Sequence, residues 1–331
     1  MTWVAAALYP DFGALFGDTR ISYGQGGSLV EVKEFGVQKI HPVAPNLVIG
    51  FAGTIVDGFK LVDSLQSYVG ALPQAPHEPR TIAEGWFESL MDEDLFHSRC
   101  RMLLVGLSPT LMKTPDDHVL PWHAPYGVRF EFGDKPAMAR VPLHDSIGSG
   151  SAVPDYVRAI EDFATNAMRR LLRFERERER IALTMLSLIF AQCVQRTPTA
   201  GVNAYFVGAI LSVNGLVMQT NEGLRVGQDL VDVGAIPLAT DTATFEDLWN
   251  NHLANTTEIV GLEGQMVGCG GLEPPTSALD RPERLSREFA IANDVTWRYQ
   301  LSLPKDVPEV TELVKRAQLG PAGGKLASCR P

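Results

Sequence analysis

Short unbroken apolar runs alternate along this chain with stretches whose apolar positions recur at helical spacing. Residues 2–8 (TWVAAAL) end at a Pro-Asp turn signal, and 13–16 (GALF) and 46–52 (NLVIGFA) are runs of the same kind. Continuous rather than alternating hydrophobicity marks strands covered on both faces. After Thr54, residues Ile55, Phe59, Val62, Leu65 and Val69 keep helical spacing, with Asp57 placed as a capping-box-like partner of an N-cap threonine. A proline-rich link, LPQAPHEP (72–79), leads to a second helix expected at about 81–97. RMLLVGL (101–107) reads as a strand, 109–124 as a surface loop rich in Pro, Asp and His, and GVRFEFG (127–133) with AMARVPL (137–143) as a hairpin. Beyond the turn IGSGS (147–151), a helical stretch at about 153–195, broken near 175–180, precedes strands at 202–211 and 215–220. The block order is strands, two helices, strands, two helices, strands. It predicts sheets covered by helix pairs.

Composition narrows the class. The chain has 331 residues, 45% hydrophobic and 21% charged, as an ordinary globular protein does. A net charge of −10 argues against nucleic acid as a partner, since phosphate binding needs a basic face. Cys100, Cys193, Cys269 and Cys329 are widely spaced and form no CxxC pair, so no metal site and no redox motif is expected. The start lacks a basic n-region, and the longest apolar stretch, IALTMLSLIF at 181–190, is too short for a membrane span. The expectation is a cytoplasmic protein without cofactor. After about residue 262 the chain turns rich in Gly, Pro and Arg, and GGLEPPTSALDR resembles peptides translated from DNA beyond a true stop. A domain at 2–262 is therefore expected. Residues 263–331 are read as a poorly structured tail, either spurious or a genuine extension.

The candidate chemistry starts at Thr2. Removal of Met1 leaves a threonine whose α-amine, with an ordinary pKa of roughly 8, can act as general base for its own hydroxyl. Met-Thr at a chain start is common, so the reading depends on the motifs further along the chain. Asp18 lies in GDTRIS (17–22), Lys39 in FGVQKI (35–40), Gly53 in IGFAGT (49–54) and Ser149 in IGSGS (147–151). Other clusters carry less. His118 and His123 sit in a polar loop segment, RFERERER (173–180) reads as a solvated helix or link, and His144 and Asp145 would point to opposite faces of a strand rather than form a triad with Ser149.

In order and spacing, these motifs over residues 2–220 resemble proteasome β-subunits, and more closely the bacterial proteasome-like peptidase HslV. The resemblance implies a four-layer αββα sandwich of the N-terminal-nucleophile (Ntn) hydrolase type, an α+β fold with two antiparallel sheets covered by helix pairs. It implies Thr2 as nucleophile, Lys39 as the catalytic lysine, Asp18 as the acid holding that lysine, and Gly53 as the oxyanion donor. Ser149 would position the α-amine and attacking water, while Ser22 and Gly50 would lie along the substrate channel. A polypeptide substrate, a homo-oligomeric ring and an ATPase unfoldase as partner are further implications. This chain departs from the pattern in three places. The Asp18–Lys39 interval is about five residues longer, 71–146 is expanded, and QRTPTAG (195–201) offers only Thr197 and Thr199 where the family has an acid that orients the α-amine. A silent structural subunit and a small-molecule Ntn amidase are the competing expectations.

Overall fold

The computed structural model describes residues 2–10, 12–25, 28–73, 78–113, 119–167, 178–198, 202–203, 205–223 and 236–266. All fall in one compact unit formed by 1–224 and 234–273; the expected tail beyond 266 lies outside the described residues. Seven strands come first: β1 Trp3–Tyr9, β2 Phe12–Asp18, β3 Ile21–Gln25, β4 Ser28–Val32, β5 Gly36–Val37, β6 Ile40–Ala44 and β7 Leu47–Gly53. Helices α1 (Ile55–Ala71) and α2 (Pro79–Ser89) precede β8 Cys100–Lys113, β9 Val119–Glu131, β10 Ala137–Arg140 and β11 His144–Gly148. Then come α3 (Pro154–Asp162), α4 (Arg178–Arg196), β12 Tyr205–Ser212, β13 Gly215–Gly223, β14 Leu238–Ala239 and α5 (Thr242–Met266). Among the described residues, no helix is long and apolar enough to cross a membrane.

The architecture is mixed α+β with antiparallel sheets. One five-stranded sheet runs β11-β1-β2-β12-β13 and a second runs β10-β9-β8-β7-β6. Strand alternation divides their side chains between two cores. From β7, Leu47, Ile49 and Phe51 join Met102 and Leu104 of β8 in packing against Phe59, Val62 and Leu65 of α1 and Ile82 and Trp86 of α2. The intervening Val48 and Ala52, with Leu103 and Val105, meet Val4, Ala6, Leu15 and Val207 of the other sheet. The continuous apolar run of β1 follows from this double coverage. Its Val4 and Ala6 face the second sheet, while Trp3 stacks at 5.3 Å on Phe190 of α4 and lies 4.4 Å from Tyr156 of α3. At roughly 25 cal/mol per Å² of apolar surface, burial of this kind is the main stabilising term.

The structure corrects four expectations. The segment 109–124 is not a surface loop: β8 and β9 stay paired from Arg101↔Glu131 out to Lys113↔Val119, leaving 114–118 outside the described residues. Pro109, Pro121 and Pro125 suggest a loop because proline cannot donate to a ladder. Here all three share one strand parity. The Leu107 N–H turns away from β9 to the Asn46 carbonyl, and by alternation the nitrogens of Pro109, Pro121 and Pro125 also face away from the partner strand. The second helix is shorter than expected, ending at Ser89, with a 3₁₀ turn at Asp94–His97. Thr54 takes the N-cap position of α1 without a side-chain cap bond, and the first turn closes instead through Gly58 N–H to the Thr54 carbonyl at 2.9 Å. Glu179 is buried rather than solvated, accepting hydrogen bonds from Ser212 Oγ and from Asn214 Nδ2 at 3.0 Å; the rest of that charged run up to 177 lies outside the described residues. Helix α5, for which the sequence suggested nothing, extends to Met266 and packs Phe245 and Trp249 against the core around Phe35 and Tyr23.

Candidate active site

The site forms where the ends of both sheets meet. Pairing of Trp3 with Gly148 sets Thr2 beside the turn Ser149–Ala152, and pairing of Val4 with Gly17 brings Asp18 alongside. From the second sheet, Ile40 opposite Gly50 puts Lys39 next to Phe51, whose N–H donates to the Lys39 carbonyl at 3.0 Å. Residues separated by up to 147 positions therefore surround Thr2.

Thr2, Asp18 and Lys39 are 4%, 0% and 3% exposed, so their charges and hydroxyl have no water to fall back on. They satisfy one another. Thr2 Oγ1 lies 2.5 Å from Asp18 Oδ1, which also accepts the Trp3 N–H at 2.8 Å, while Asp18 Oδ2 accepts the Arg20 N–H at 3.1 Å. Lys39 Nζ has three acceptors for its three protons: Thr2 Oγ1, Asp18 Oδ1 at 3.0 Å and the Arg20 carbonyl at 2.8 Å. Burial pushes the Lys39 pKa below its ordinary value, Asp18 opposes that shift, and Arg20 adds to it. The arrangement supplies an ammonium in direct contact with the threonine hydroxyl, and that contact lowers the cost of forming an alkoxide.

On the other side of Thr2, its backbone N–H donates to Ser149 Oγ at 3.2 Å, and the Ser149 hydroxyl donates back to the Thr2 carbonyl at 3.1 Å. The Gly150 N–H reaches the same carbonyl at 3.2 Å. Gly148 makes this possible with φ of 87°, a left-handed conformation that favours glycine, and a Cβ there would sit 2.2 Å from the Thr2 carbonyl oxygen. Gly53 ends β7 at φ of 130° with Arg99 O pressed against it, and it borders both cavities that open at Thr2. The larger has a volume of about 500 Å³ and reaches Ser149, Gly148, His97, Arg99, Arg101 and Asp134. The smaller, about 30 Å³, is lined by Ser22, Arg20, Lys39, Phe51 and Ile55.

The structure thus brings Thr2, Asp18, Lys39, Gly53 and Ser149 together, with Ser22 at the smaller recess. Gly50 is elsewhere. A Cβ at Gly50 would stand 2.7 Å from Ile40 Cδ1 and 2.9 Å from Val4 Cγ1, so this glycine lets the two sheets approach and does not line either cavity. Thr197 also lies apart, donating to Asp155 Oδ2 of α3 at 2.8 Å, and Asp145 is held by Arg129 at 3.0 Å. Thr199 lies outside the described residues. The sequence reading missed the Arg20 carbonyl, the Trp3 and Gly150 amides, and the cleft residues Arg99 and Arg101. Main-chain groups carry no residue-type signal, and the two arginines alternate with buried Cys100 at the start of a strand that reads as core. No known protein-family model and no curated protein matches this chain.

Proposed function

We propose that this protein is a threonine-type amide or peptide hydrolase of the Ntn class, with Thr2 as the N-terminal nucleophile once Met1 is removed. The observation that carries the reading is the buried contact of Thr2 Oγ1 with both Lys39 Nζ and Asp18 Oδ1. A threonine placed only for packing has no need of a buried ion pair against its hydroxyl, because such a pair is costly to desolvate. Two sheets meeting through an apolar core, with α1 and α2 on the outer face of one and α3 and α4 against the other, support a four-layer αββα arrangement.

In this reading the freed α-amine takes the Thr2 hydroxyl proton as Oγ1 attacks the scissile carbonyl. The Lys39 ammonium, held by Asp18, stabilises the developing charge on Oγ1, and the Gly53 N–H faces the oxyanion. Collapse expels the leaving amine, which takes its proton from the α-ammonium, and leaves an ester on Thr2. Water then attacks that ester with the α-amine again as base, releasing the acid and restoring the hydroxyl. Ser149 Oγ, already bound to Thr2 N, orients the amine and the water. A ring that encloses the sites and an ATPase unfoldase are proposed partners on the strength of the resemblance.

The test is intact mass and N-terminal sequencing with and without a β-lactone or epoxyketone. The expected result is a chain starting at Thr2, one inhibitor adduct on it, and none in Thr2→Ala, where hydrolysis falls at least about a thousandfold. Retained Met1 with no adduct would leave a silent assembly subunit as the better account.

A further inference from the structure

The two cavities that meet at Thr2, Ala52 and Gly53 differ in the charge they offer. In the smaller one both cations are committed, Arg20 to Glu31 and Lys39 to Asp18. The larger one is bordered by Arg99, Arg101 and His97, with Asp134 as its one carboxylate. Among the described residues, neither the Arg99 nor the Arg101 guanidinium takes part in a hydrogen bond or an ion pair, and both side chains are exposed. A chain of net charge −10 thus presents uncommitted positive charge beside its candidate nucleophile. Clefts lined by one sign of charge concentrate ligands of the other.

The geometry also says which part of a substrate meets this charge. The α-amine must deliver its proton to the leaving nitrogen, so the leaving portion departs on the side to which Thr2 N points. That nitrogen is bound to Ser149 Oγ, and Ser149 and Gly148 border the larger cavity and not the smaller. The leaving portion therefore passes Arg99 and Arg101, while the acyl portion faces the recess of Ser22, Phe51 and Ile55.

We infer that the larger cleft selects substrates whose leaving portion carries a carboxylate close to the cleaved bond, held by Arg99 and Arg101; this rests on the hydrolase reading above. Guanidinium suits the task because it binds carboxylate through two parallel N–H donors. The carboxylate has two sources, an acidic side chain just after the cleaved bond or the free C-terminus of a short leaving fragment.

The experiment is competitive cleavage of peptides that differ only in the first residue after the cleaved bond, Glu, Gln or Lys, with products quantified by mass spectrometry. A second pair ends one residue past the bond in a free or an amidated carboxyl, separating the two sources. The native protein is expected to favour Glu over Gln by about five- to tenfold in kcat/KM, with Lys poorest. In the double variant R99E/R101E the order inverts, and added salt erodes the native preference. Equal cleavage within both pairs, Glu against Gln and free against amidated, or a carboxylate preference that survives the double reversal, overturns the inference. Binding of the same peptides to Thr2→Ala, followed by fluorescence anisotropy, keeps the two readings separable. Glu-selective binding that disappears with R99E/R101E upholds the cleft assignment even if no peptide is hydrolysed, and non-selective binding rejects it.

Discussion

The two sides of Thr2 are built on opposite principles. Toward Lys39 the side chains are buried, and every side-chain polar atom of Thr2, Asp18 and Lys39 has a partner. Toward Ser149 the wall is open and holds two arginines uncommitted among the described residues. A buried ion pair sets positions firmly because neither partner can trade the other for water, and its loss is felt by the whole fold. An exposed charge costs the fold little and stays free to meet a ligand. In the proposed reading, the closed side is therefore suited to activating Thr2 and the open side to recognition.

Substitutions can break this contrast, and the largest effect belongs to the closed side. Asp18→Ala leaves the Lys39 ammonium buried with only neutral acceptors, and is expected to cost about 3–5 kcal/mol in urea unfolding as well as activity. Lys39→Ala should cost less stability, because Asp18 keeps its bonds from Thr2, Trp3 and Arg20. A reversed order would mean that Asp18, and not Lys39, is the poorly solvated partner.

His41, two residues beyond Lys39, extends the closed side. Its ring lies 5.9 Å from Phe51 and 5.7 Å from Phe59, Nε2 meets the Gln38 carbonyl, and Asp241 is the charge nearby that favours protonation. Burial lowers its pKa from 6.5 to about 4. The unfolded chain thus takes up a proton first as pH falls. Stability should decline between pH 6.5 and about 4, by roughly 3 kcal/mol in total, and level off below. Thermal melts of native and His41→Leu protein across that window check this, since the slope should flatten in the variant.

Gly148→Ala tests the junction between the sides. It places a Cβ against the Thr2 carbonyl at a left-handed backbone position, with an expected loss of about 2 kcal/mol and displacement of Ser149 from Thr2 N. The smallest stability effect is expected for Ser149→Ala on the open side, within about 1 kcal/mol. Its hydrolysis rate should nonetheless fall by about tenfold, read as kcat with KM little changed. A stability loss as large as that of Asp18→Ala would dissolve the contrast.

Much of this was legible in the chain. The apolar run of β1, the helical spacing after Thr54 and the β9–β10 hairpin all announce themselves, because burial on both faces, on one stripe or on alternate positions leaves a distinct pattern. Thr2, Asp18, Lys39, Gly53 and Ser149 were singled out through the family resemblance of their motifs, and the fold brings them together. The paired arm of β8 and β9 was not, since proline reads as a breaker until strand parity shows that its missing donor points outward. Nor was the place of Gly50, whose absent side chain is equally compatible with a channel and with close sheet packing.

Local pattern thus determined which segments become strands and helices and which residue types are available for chemistry, because those depend on neighbours a few positions apart. Tertiary structure alone decided that Lys39 exhausts its three donors on Thr2, Asp18 and Arg20, that Gly50 packs while Gly53 borders the cleft, and that Arg99 and Arg101 line the same cavity as Thr2 and Ser149. Those facts depend on burial and on distances between residues far apart in the chain, which no local periodicity encodes.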